Sequence, residues 1–315
     1  MNGVLLIDKP AGMTSHDVVA RVRRIIGERR VGHTGTLDPF ATGLLVILIG
    51  RATRLAQFLS GAEKQYEAVI RFGYATDTGD VTGSRIESAL PDAKTRSAQS
   101  LRKDEIQGAM ASLQGEIEQV PPMYSAKKIQ GKKLYEFARA GQSVERQPVR
   151  VTIREFEMLP PADELLRAND DGPVDLRVRV VCSAGTYIRT LAEDLGQQLG
   201  IGSHLAELRR TRAGPFQIDA AITLEKLAEV YKLEMLDDVL VSPHEALSHL
   251  SVIELDTEQA RRAMHGLNIE LSPDGTQTLT DGDAIRLSLN NELIAVGRFD
   301  ATQGVIHPAV VLGTE

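Results

Sequence analysis

Cysteine is nearly absent from the sequence, and it has no long hydrophobic run. The single cysteine, Cys182, excludes an internal disulfide and any cysteine-rich metal site. No apolar run approaches the roughly 20 residues that a membrane-spanning helix needs. The opening segment MNGVLLIDKP lacks a basic region ahead of its short apolar stretch, so we do not expect a signal peptide. These absences favour a cytoplasmic protein without membrane contact.

Net charge and charge distribution point in different directions. The 315-residue chain is 42% hydrophobic and 25% charged, which is ordinary for a globular protein, and its length predicts one large domain plus a smaller one. A net charge of −7 argues against a nucleic-acid partner, but binding depends on where positive charge lies rather than on its sum. Basic residues cluster in three segments: Arg21, Arg23, Arg24, Arg29 and Arg30; Lys127, Lys128, Lys132 and Lys133; Arg209, Arg210 and Arg212. Any one cluster is more often a solvated face, and three together favour RNA only modestly.

Hydrophobic periodicity predicts strands and helices around two loops of unusual composition. Apolar or alternating patterns predict strands at 4–7, 44–49, 66–72 and 174–182. Ser15 is a good N-cap for a helix that Gly27 would end. A second helix is predicted after the turn at Gly185, with Ile188, Leu191, Leu195 and Leu199 on one face.

Composition also predicts the domain organisation. Residues 76–104 are rich in Asp, Thr, Gly, Ser and Ala and are interpreted as a mobile excursion from the sheet, and residues 161–173 as a hairpin loop. Near residue 250 the pattern changes to short strands and turns. We therefore expect a large domain at 1–248 and a small β-rich domain at 249–315.

The segment GHTGTLDPFATG at 32–43 places one carboxylate, Asp38, in a polar loop with three glycines that let a ligand approach the backbone. No Gly-Lys-[Ser/Thr] follows, which excludes a phosphate-binding P-loop. His33 and Asp38 lack metal-ligand spacing, and no Ser-His-Asp arrangement can be assembled with confidence. An Asp-Pro turn is the commoner explanation of such a pair. From the residues alone, Asp38 is a candidate functional carboxylate.

A second group, CSAGTYIR at 182–189, ends a strand, turns at Gly185 and begins a helix. Tyr187 and Arg189 would emerge near the edge of the sheet. Arg189 could pair with Glu193 on the helix surface, or be a buried guanidinium that keeps a carboxylate ionised, and the residues do not decide between the two. Tyr66 is more often a core aromatic, and its functional alternative is a base-stacking ring.

Six ordered motifs together resemble the TruB family, the bacterial tRNA pseudouridine-55 synthases. They are GVLLIDKPAGMTSH at 3–16, RRVGHTGTLDPFATGLL at 29–45, KQYEA at 64–68, PPMYSAKKIQGKKLYEFAR at 121–139, CSAGTYIRTLAEDLG at 182–196 and LRRTRAGPF at 208–216. The tail at 296–312 is similar, more loosely, to the end of a PUA domain. Residues 76–104 and about 220–290 match the family poorly.

The resemblance implies an α/β (α+β) protein with a central mixed, mostly antiparallel sheet, followed by a small PUA-like domain. It implies an isomerase that converts uridine-55 of the tRNA T-loop to pseudouridine. The reaction conserves atoms and transfers no electrons, so no cofactor or metal is expected. Asp38 would be the catalytic carboxylate, Arg189 its ion-pair partner, and Tyr66 the ring that packs on uracil and the candidate for removing the C5 proton.

The target uridine is stacked inside the T-loop and must be flipped out, and by resemblance His33 fills the space it leaves. The expected RNA-binding residues are His33, Lys9, Tyr187, Lys127, Lys128, Lys132, Arg209 and Arg210. We expect the segment 127–133 to be mobile without RNA, because a glycine and four lysines bury poorly. The expected partner is tRNA, bound by a monomer.

Three alternatives remain open at this level. A non-catalytic tRNA-binding or folding protein could use the same scaffold, but it would be expected to lack Asp38, Tyr66 or Arg189. An RNA glycosidase usually needs a second acid and a positioned water, and the motifs contain no obvious second carboxylate. A related synthase could act on another RNA, although the first two motifs and the tail favour the T-loop.

Overall fold

The computed structural model describes residues 1–86, 97–129, 131–160, 172–270 and 279–313, and the backbone of 166–168. Its α-helices are α1 Ser15–Ile26, α2 Ala56–Leu59, α3 Lys103–Ser112, α4 Leu134–Arg139, α5 Ile188–Gln198, α6 Leu224–Lys232, α7 Pro243–Ala246 and α8 Thr257–Met264. Its strands are β1 Gly3–Lys9, β2 Val31–His33, β3 Thr42–Ile49, β4 Lys64–Phe72, β5 Ala75–Thr76, β6 Arg85–Ile86, β7 Gly115–Gln119, β8 Lys128–Ile129, β9 Lys132–Lys133, β10 Val149–Met158, β11 Leu166–Ala168, β12 Val174–Cys182, β13 Ser203–Ala213, β14 Phe216–Gln217, β15 Leu240–Val241, β16 Ser251–Glu254, β17 Ile269–Glu270, β18 Ala284–Leu289, β19 Glu292–Asp300 and β20 Val305–Val311.

A long sheet runs through the larger part of the chain in the order β15-β1-β3-β13-β4-β12-β10-β7. Its ladders are antiparallel except where β13 runs parallel to β3 and pairs Arg209 with Thr42 and Arg210 with Gly43. The predicted fold, a mixed and mostly antiparallel central sheet, is confirmed. The parallel contact brings the residues that follow the Asp38 loop beside those that face β4.

The strands form where hydrophobic periodicity predicts them. β3 is a continuous apolar run with both faces buried. In β4 buried and half-buried residues alternate, so Tyr66 faces the core and Arg71 the opposite side. In β12 the predicted inward residues are buried, from Val174 to Val180. Helices α3 and α5 cover the β4–β12 part of the sheet, and α1 and α6 cover β1 and β3.

The start of α1 differs from the prediction in one residue. Thr14, not Ser15, is the N-cap: its hydroxyl accepts from Asp17 N at 3.1 Å, and the Asp17 carboxylate accepts from Thr14 N at 2.9 Å. This reciprocal capping box satisfies two backbone donors at once. Ser15 is thereby free to turn inward, and its side chain contacts the Asp38 loop. The predicted stop at Gly27 is confirmed, with a positive φ of 67°.

A second sheet, in the order β16-β18-β19-β20-β17, is formed by residues 251–311. Apolar side chains of β19 and β20, such as Val296 and Val310, share one buried cluster with Leu44 and Val46 of the central sheet. Arg51 Nη1 donates to Leu312 O at 2.9 Å across the same boundary. The β-rich C-terminal part is therefore packed against the larger part by both apolar and polar contacts.

Two segments singled out in the sequence are described only in part. Within 76–104, β5 and β6 form a short hairpin and α3 begins at Lys103, whereas 87–96 lie outside the described residues. Most of 161–173 also lies outside them, apart from β11, which pairs with β12. No helix in the described ranges is long and apolar enough to cross a membrane.

Candidate active site

Asp38 lies in the loop that joins β2 to β3. Ser15 Oγ accepts a hydrogen bond from Leu37 N at 2.8 Å and donates to Leu37 O at 3.2 Å. The Leu37 side chain is 3% exposed and belongs to the core beneath the loop. The residue before Asp38 is therefore fixed both by its backbone and by its side chain, which defines the direction of the carboxylate.

Lys9 anchors the same loop, and its expected contact with RNA stays a prediction. The side chain is completely buried, and its ammonium donates to Pro10 O at 2.9 Å, Met13 O at 2.7 Å and Pro39 O at 3.3 Å. Burial lowers the pKa of Lys9 to about 8. Its three donors are used to hold backbone next to Asp38, so none is offered to a phosphate.

Arg189, in the first turn of α5, pairs with Asp38 in a bidentate geometry. Its Nε lies 2.9 Å from Asp38 Oδ2 and its Nη2 lies 3.1 Å from Asp38 Oδ1. The guanidinium also donates to Thr78 O at 2.9 Å and to Tyr124 O at 2.8 Å. Because Arg189 is only 4% exposed, the geometry supports the buried guanidinium rather than a helix-surface pair with Glu193.

Opposing effects act on the ionisation of Asp38. Burial raises its pKa above the ordinary value, Arg189 opposes this, and the nearby Asp80 carboxylate adds to it. The Asp38 side chain nevertheless keeps 31% of its surface exposed, while the side chain of Arg189 keeps 5%. The carboxylate is thus the open member of the pair.

The segment 76–82, which contacts the Arg189 guanidinium, was not identified from the sequence. Asp80 is 5% exposed and accepts hydrogen bonds from Thr78 Oγ1 and Thr82 N, both at 2.9 Å. Its Oδ2 lies 3.9 Å from Arg189 Nη1. The signal was present as alternating hydroxyl and carboxyl residues around a glycine, Thr76-Asp-Thr-Gly-Asp80, but this composition is also typical of a surface loop.

A cavity of about 270 Å³ opens beside Asp38 and is also lined by Tyr66, Tyr187 and Arg189. This is slightly below the roughly 300–1,000 Å³ of sites for drug-sized ligands, so it suits a single small ring. A second cavity, of about 550 Å³, shares Asp38 and Arg189 with the first and is further lined by Thr14, His16, Phe40, Tyr124, Tyr135 and Arg139. Asp38 therefore lies where two cavities meet.

Tyr66 is on β4, 8% exposed, with Val180 and Arg210 as its cross-strand neighbours. Burial raises the pKa of the phenol, and Arg210 opposes this shift. At neutral pH the side chain is therefore a neutral phenol, which is a weak base but a suitable surface for a stacked ring. The packing role expected for Tyr66 agrees with this placement better than the proton-removing role does.

His33 ends β2, ahead of the loop that carries Asp38, and Tyr187 lies just before α5. The His33 ring contacts that of His16 edge to face, with centroids 5.6 Å apart, and its Nδ1 accepts from Gly35 N at 3.3 Å. Burial lowers the pKa of His33, which favours the neutral imidazole. Tyr187 directly precedes α5, and its N–H donates to Gln119 Oε1 at 3.0 Å. Its side chain lines the 270 Å³ cavity.

The expected RNA-binding lysines occupy a short hairpin. β8 and β9 pair Lys128 with Lys133, and Lys128 and Lys132 are exposed. Lys127 is half-buried and reaches the 270 Å³ cavity. This arrangement places positive charge at the rim of the site. The predicted mobility of the hairpin stays a prediction.

The arginines at 209 and 210 do not form one surface. Arg209 pairs with Asp8 at 2.8 Å and its side chain is 41% exposed. Arg210 points to the other side of β13, is 2% exposed and lines the cavity. Arg210 therefore belongs to the wall of the cavity, and its expected contact with RNA stays a prediction. In the described residues no group of three or more His, Cys, Asp or Glu side chains could hold a metal ion.

Comparison with known protein families gives two adjoining matches. Residues 23–188 match the TruB family pseudouridylate synthase (N terminal domain), and residues 189–248 match the tRNA pseudouridylate synthase B C-terminal domain. Together these stretches contain Asp38, Tyr66 and Arg189. The first match alone covers more than half of the chain.

Similar proteins agree over the full length. A tRNA pseudouridine synthase B of Geobacillus thermodenitrificans is 43% identical over 312 residues, which are 99% of this chain and 99% of that protein. One of Aromatoleum aromaticum is 43% identical over 314 residues, 100% of this chain and 94% of that protein. A solved Cbf5-Nop10-Gar1 complex contains a chain with the same fold, at a TM-score of 0.71 and 27% identity, covering 99% of this chain and 84% of that chain.

Proposed function

This chain belongs to the TruB family of pseudouridylate synthases, and we propose that it converts uridine-55 in the T-loop of tRNA to pseudouridine, with Asp38 as the catalytic carboxylate. The observation that carries the proposal is the bidentate Arg189–Asp38 pair, in which the arginine is buried and the carboxylate faces a cavity the size of one ring. Tyr66 lies in the wall of the same cavity.

The reaction breaks the N1–C1′ bond, turns the uracil and forms a C5–C1′ bond. In one route an Asp38 oxygen attacks C1′ while the N1–C1′ electron pair leaves with the base. In the other, Asp38 removes the C2′ proton, uracil leaves with the N1–C1′ electron pair and the sugar becomes a glycal, which regains the proton at C2′ when C5 attacks C1′. Both routes need the ionised carboxylate, and Arg189 opposes the rise in pKa that burial causes. Removal of the C5 proton and protonation of N1 complete the isomerisation.

The target base must leave the T-loop stack to reach Asp38, at a cost of a few kcal/mol. His33 lies next to the loop that carries Asp38, and a neutral imidazole can stack in the space that the base leaves. Tyr66 would pack on the flipped uracil. These roles assign the aromatic groups to base binding and leave the bond chemistry to the carboxylate.

Grip on the rest of the tRNA is assigned to the exposed basic groups and to the C-terminal part. Lys128 and Lys132 are exposed at the rim, Lys127 faces the cavity, and Arg209 keeps part of its guanidinium in solvent. We propose that 1–248 form the catalytic domain and 249–315 a PUA-like domain that reaches the acceptor stem. We further propose a monomer that works in the cytoplasm and needs no cofactor.

The decisive experiment is tritium release from T-arm RNA labelled at uridine C5. We expect Asp38→Asn to lower the rate by about 10⁴-fold or more, as loss of a catalytic nucleophile does, while tRNA binding is kept. Asp175→Asn is the matched control, because Asp175 is also paired with an arginine but lies away from the cavity. Normal release by Asp38→Asn would reject Asp38 as the catalytic carboxylate, and an absence of release by the unmodified protein would leave the chain as a tRNA-binding protein. Release of free uracil would instead indicate a glycosidase.

A further inference from the structure

The wall of the 270 Å³ cavity carries more buried positive charge than its acids balance. Asp38 is paired with Arg189, yet the cavity is also lined by Lys64 and Arg210, which are 7% and 2% exposed. In the part of the chain that the structure describes, neither of these two has a carboxylate within ion-pair distance. Two buried cations therefore face the cavity without a counter-charge.

Backbone carbonyl groups hold both cations in place. Lys64 Nζ donates to Ser60 O at 2.6 Å and to Ala62 O. Arg210 Nε donates to Leu44 O at 2.7 Å. Carbonyl oxygens satisfy N–H groups but do not cancel a full charge, and burying such a charge is costly. Burial lowers the pKa of Lys64 to about 8, and Arg210 adds to that shift.

Lys64 and Arg210 lie near Tyr66, the residue proposed to pack on the target base, so we assign them to the base rather than to the RNA backbone. Arg210 and Tyr66 are directly opposite each other on β13 and β4. Arg210 Nη2 also donates to Gly35 O at 3.2 Å, in the loop that carries Asp38. Lys64 precedes Tyr66 by two residues and so faces the same side of β4. Both cations thus adjoin the ring that packs on uracil.

Bond cleavage creates a charge that such a wall can stabilise. When the N1–C1′ bond breaks, the electron pair stays on N1, and the departing uracil becomes an anion whose charge spreads to O2 and O4. The charge disappears again when C5 attacks C1′ and N1 takes up a proton. Fixed positive groups aimed at a developing anion lower the barrier because they need no reorganisation.

We propose that Arg210 and Lys64 stabilise the departing uracil anion while it turns between N1 and C5 attachment. This inference rests on the proposed function and assigns the two buried cations a part in it. The positive charge of Arg210 and Lys64 is neutralised only while the uracil anion is present. The two side chains therefore stabilise the intermediate between breaking of the N1–C1′ bond and formation of the C5–C1′ bond.

The test compares two leaving groups in single-turnover reactions of T-arm RNA. Fluorine at C5 withdraws electrons and makes 5-fluorouracil a better leaving group than uracil, so its departure depends less on nearby cations. We expect Arg210→Gln to slow consumption of the target uridine by about 100-fold or more, and to slow consumption of 5-fluorouridine by a clearly smaller factor. Lys64→Met should show the same inequality, and Arg210→Lys, which keeps the charge, a smaller loss on both substrates.

Two results would overturn the inference. Equal slowing of both substrates would mean that the side chains only maintain the shape of the cavity. Weaker tRNA binding with a lower salt dependence and an unchanged rate would mean that Arg210 contacts phosphate. If thermal unfolding shows that Arg210→Gln does not fold, Lys64→Met and Arg210→Lys make the same comparison. Arg71→Gln, on the opposite side of β4, is the matched control and should alter neither rate. Failure of the proposed function is distinct, since the unmodified protein would then consume neither nucleoside.

Discussion

Two arginine–aspartate pairs of nearly equal geometry occur in this protein, in different surroundings. Arg71 Nε lies 2.7 Å from Asp175 Oδ1, and Arg189 Nε lies 2.9 Å from Asp38 Oδ2, and both pairs are bidentate. Arg71 and Asp175 are cross-strand neighbours on β4 and β12. Arg189 and Asp38 come from a helix and a loop that are 151 residues apart. The first pair follows from strand register, whereas the second requires the complete fold.

The two pairs differ most in which partner is covered. In the β4–β12 pair the arginine side chain is 23% exposed and the aspartate side chain 13%, so both partners are partly covered to a similar degree. In the cavity pair the arginine is 5% exposed and the aspartate 31%. Arg189 is held further by Thr78 O and Tyr124 O. A fixed, buried cation with an open carboxylate distinguishes the pair that we propose to be catalytic from the pair on β4 and β12.

Replacing each arginine by lysine should give the largest contrast between the pairs. Lysine keeps the charge but cannot reproduce a two-pronged contact together with two carbonyl bonds. We expect Arg189→Lys to lower the single-turnover rate by about 100-fold or more, because Asp38 loses both orientation and part of its charge stabilisation. Arg71→Lys should change the rate by less than about threefold.

The readout is tritium release at saturating enzyme, with tRNA affinity and thermal unfolding measured in parallel. A comparable loss of rate in both variants would show that the rate depends on the integrity of the central sheet rather than on the Arg189–Asp38 contact. An unchanged rate in Arg189→Lys would show that charge alone is sufficient at this position.

Many of the strands and helices could be predicted because the spacing of their apolar residues indicates them locally. β3 is an uninterrupted apolar run, and β4 and β12 alternate, so each was predicted from its own residues. The N-cap of α1 was misplaced by one residue because Thr14 and Ser15 are both good caps, and the choice depends on Asp17. The mixed, mostly antiparallel character of the sheet is not encoded locally and was expected from the family resemblance, and the order of its strands comes from the structure alone.

The site was predictable only where a motif carried it. The residues alone made Asp38, Tyr66 and Arg189 candidates, but their joint roles were predicted through resemblance, and no periodicity relates the first to the last. The burial of Lys9 was not predicted, because a lysine after a strand is normally solvated, and it becomes apparent only when three carbonyl groups converge on the ammonium. The separation of Arg209 from Arg210 was readable in advance, since neighbours in a strand face opposite sides.

A second prediction concerns pH. The reaction needs ionised Asp38, so kcat/KM should fall as the pH drops through the pKa of this group, and burial places that fall at a higher pH than for an ordinary aspartate. The charged groups facing Asp38 are Arg189 and Lys9, which lower its pKa, and Asp80, which raises it. Asp80→Asn should therefore move the acidic limb to lower pH.

The shift would be measured from kcat/KM between pH 4 and 8, as the midpoint of the acidic limb. Asp175→Asn should leave the midpoint in place, because Asp175 is paired away from the cavity. Movement of the limb to higher pH in Asp80→Asn would mean that loss of the Thr78–Asp80 contacts, and hence of Arg189 support, outweighs the removed charge.

The smallest expected effect is on the salt dependence of tRNA binding, which should differ between the loss of an exposed lysine and the loss of a buried one. This comparison parallels that of the exposed Asp38 with the covered Asp175. Lys128→Gln removes one exposed charge at the rim, so tRNA affinity should fall a few-fold. The slope of the logarithm of the binding constant against the logarithm of the salt concentration should decrease in magnitude by about one. Lys9→Met should leave that slope unchanged, because its ammonium contacts Pro10 O, Met13 O and Pro39 O instead of solvent. Its cost should appear in the rate, since the loop beside Asp38 loses an anchor. A lower salt slope in Lys9→Met would place this lysine on phosphate after all and would require the loop to open when tRNA binds.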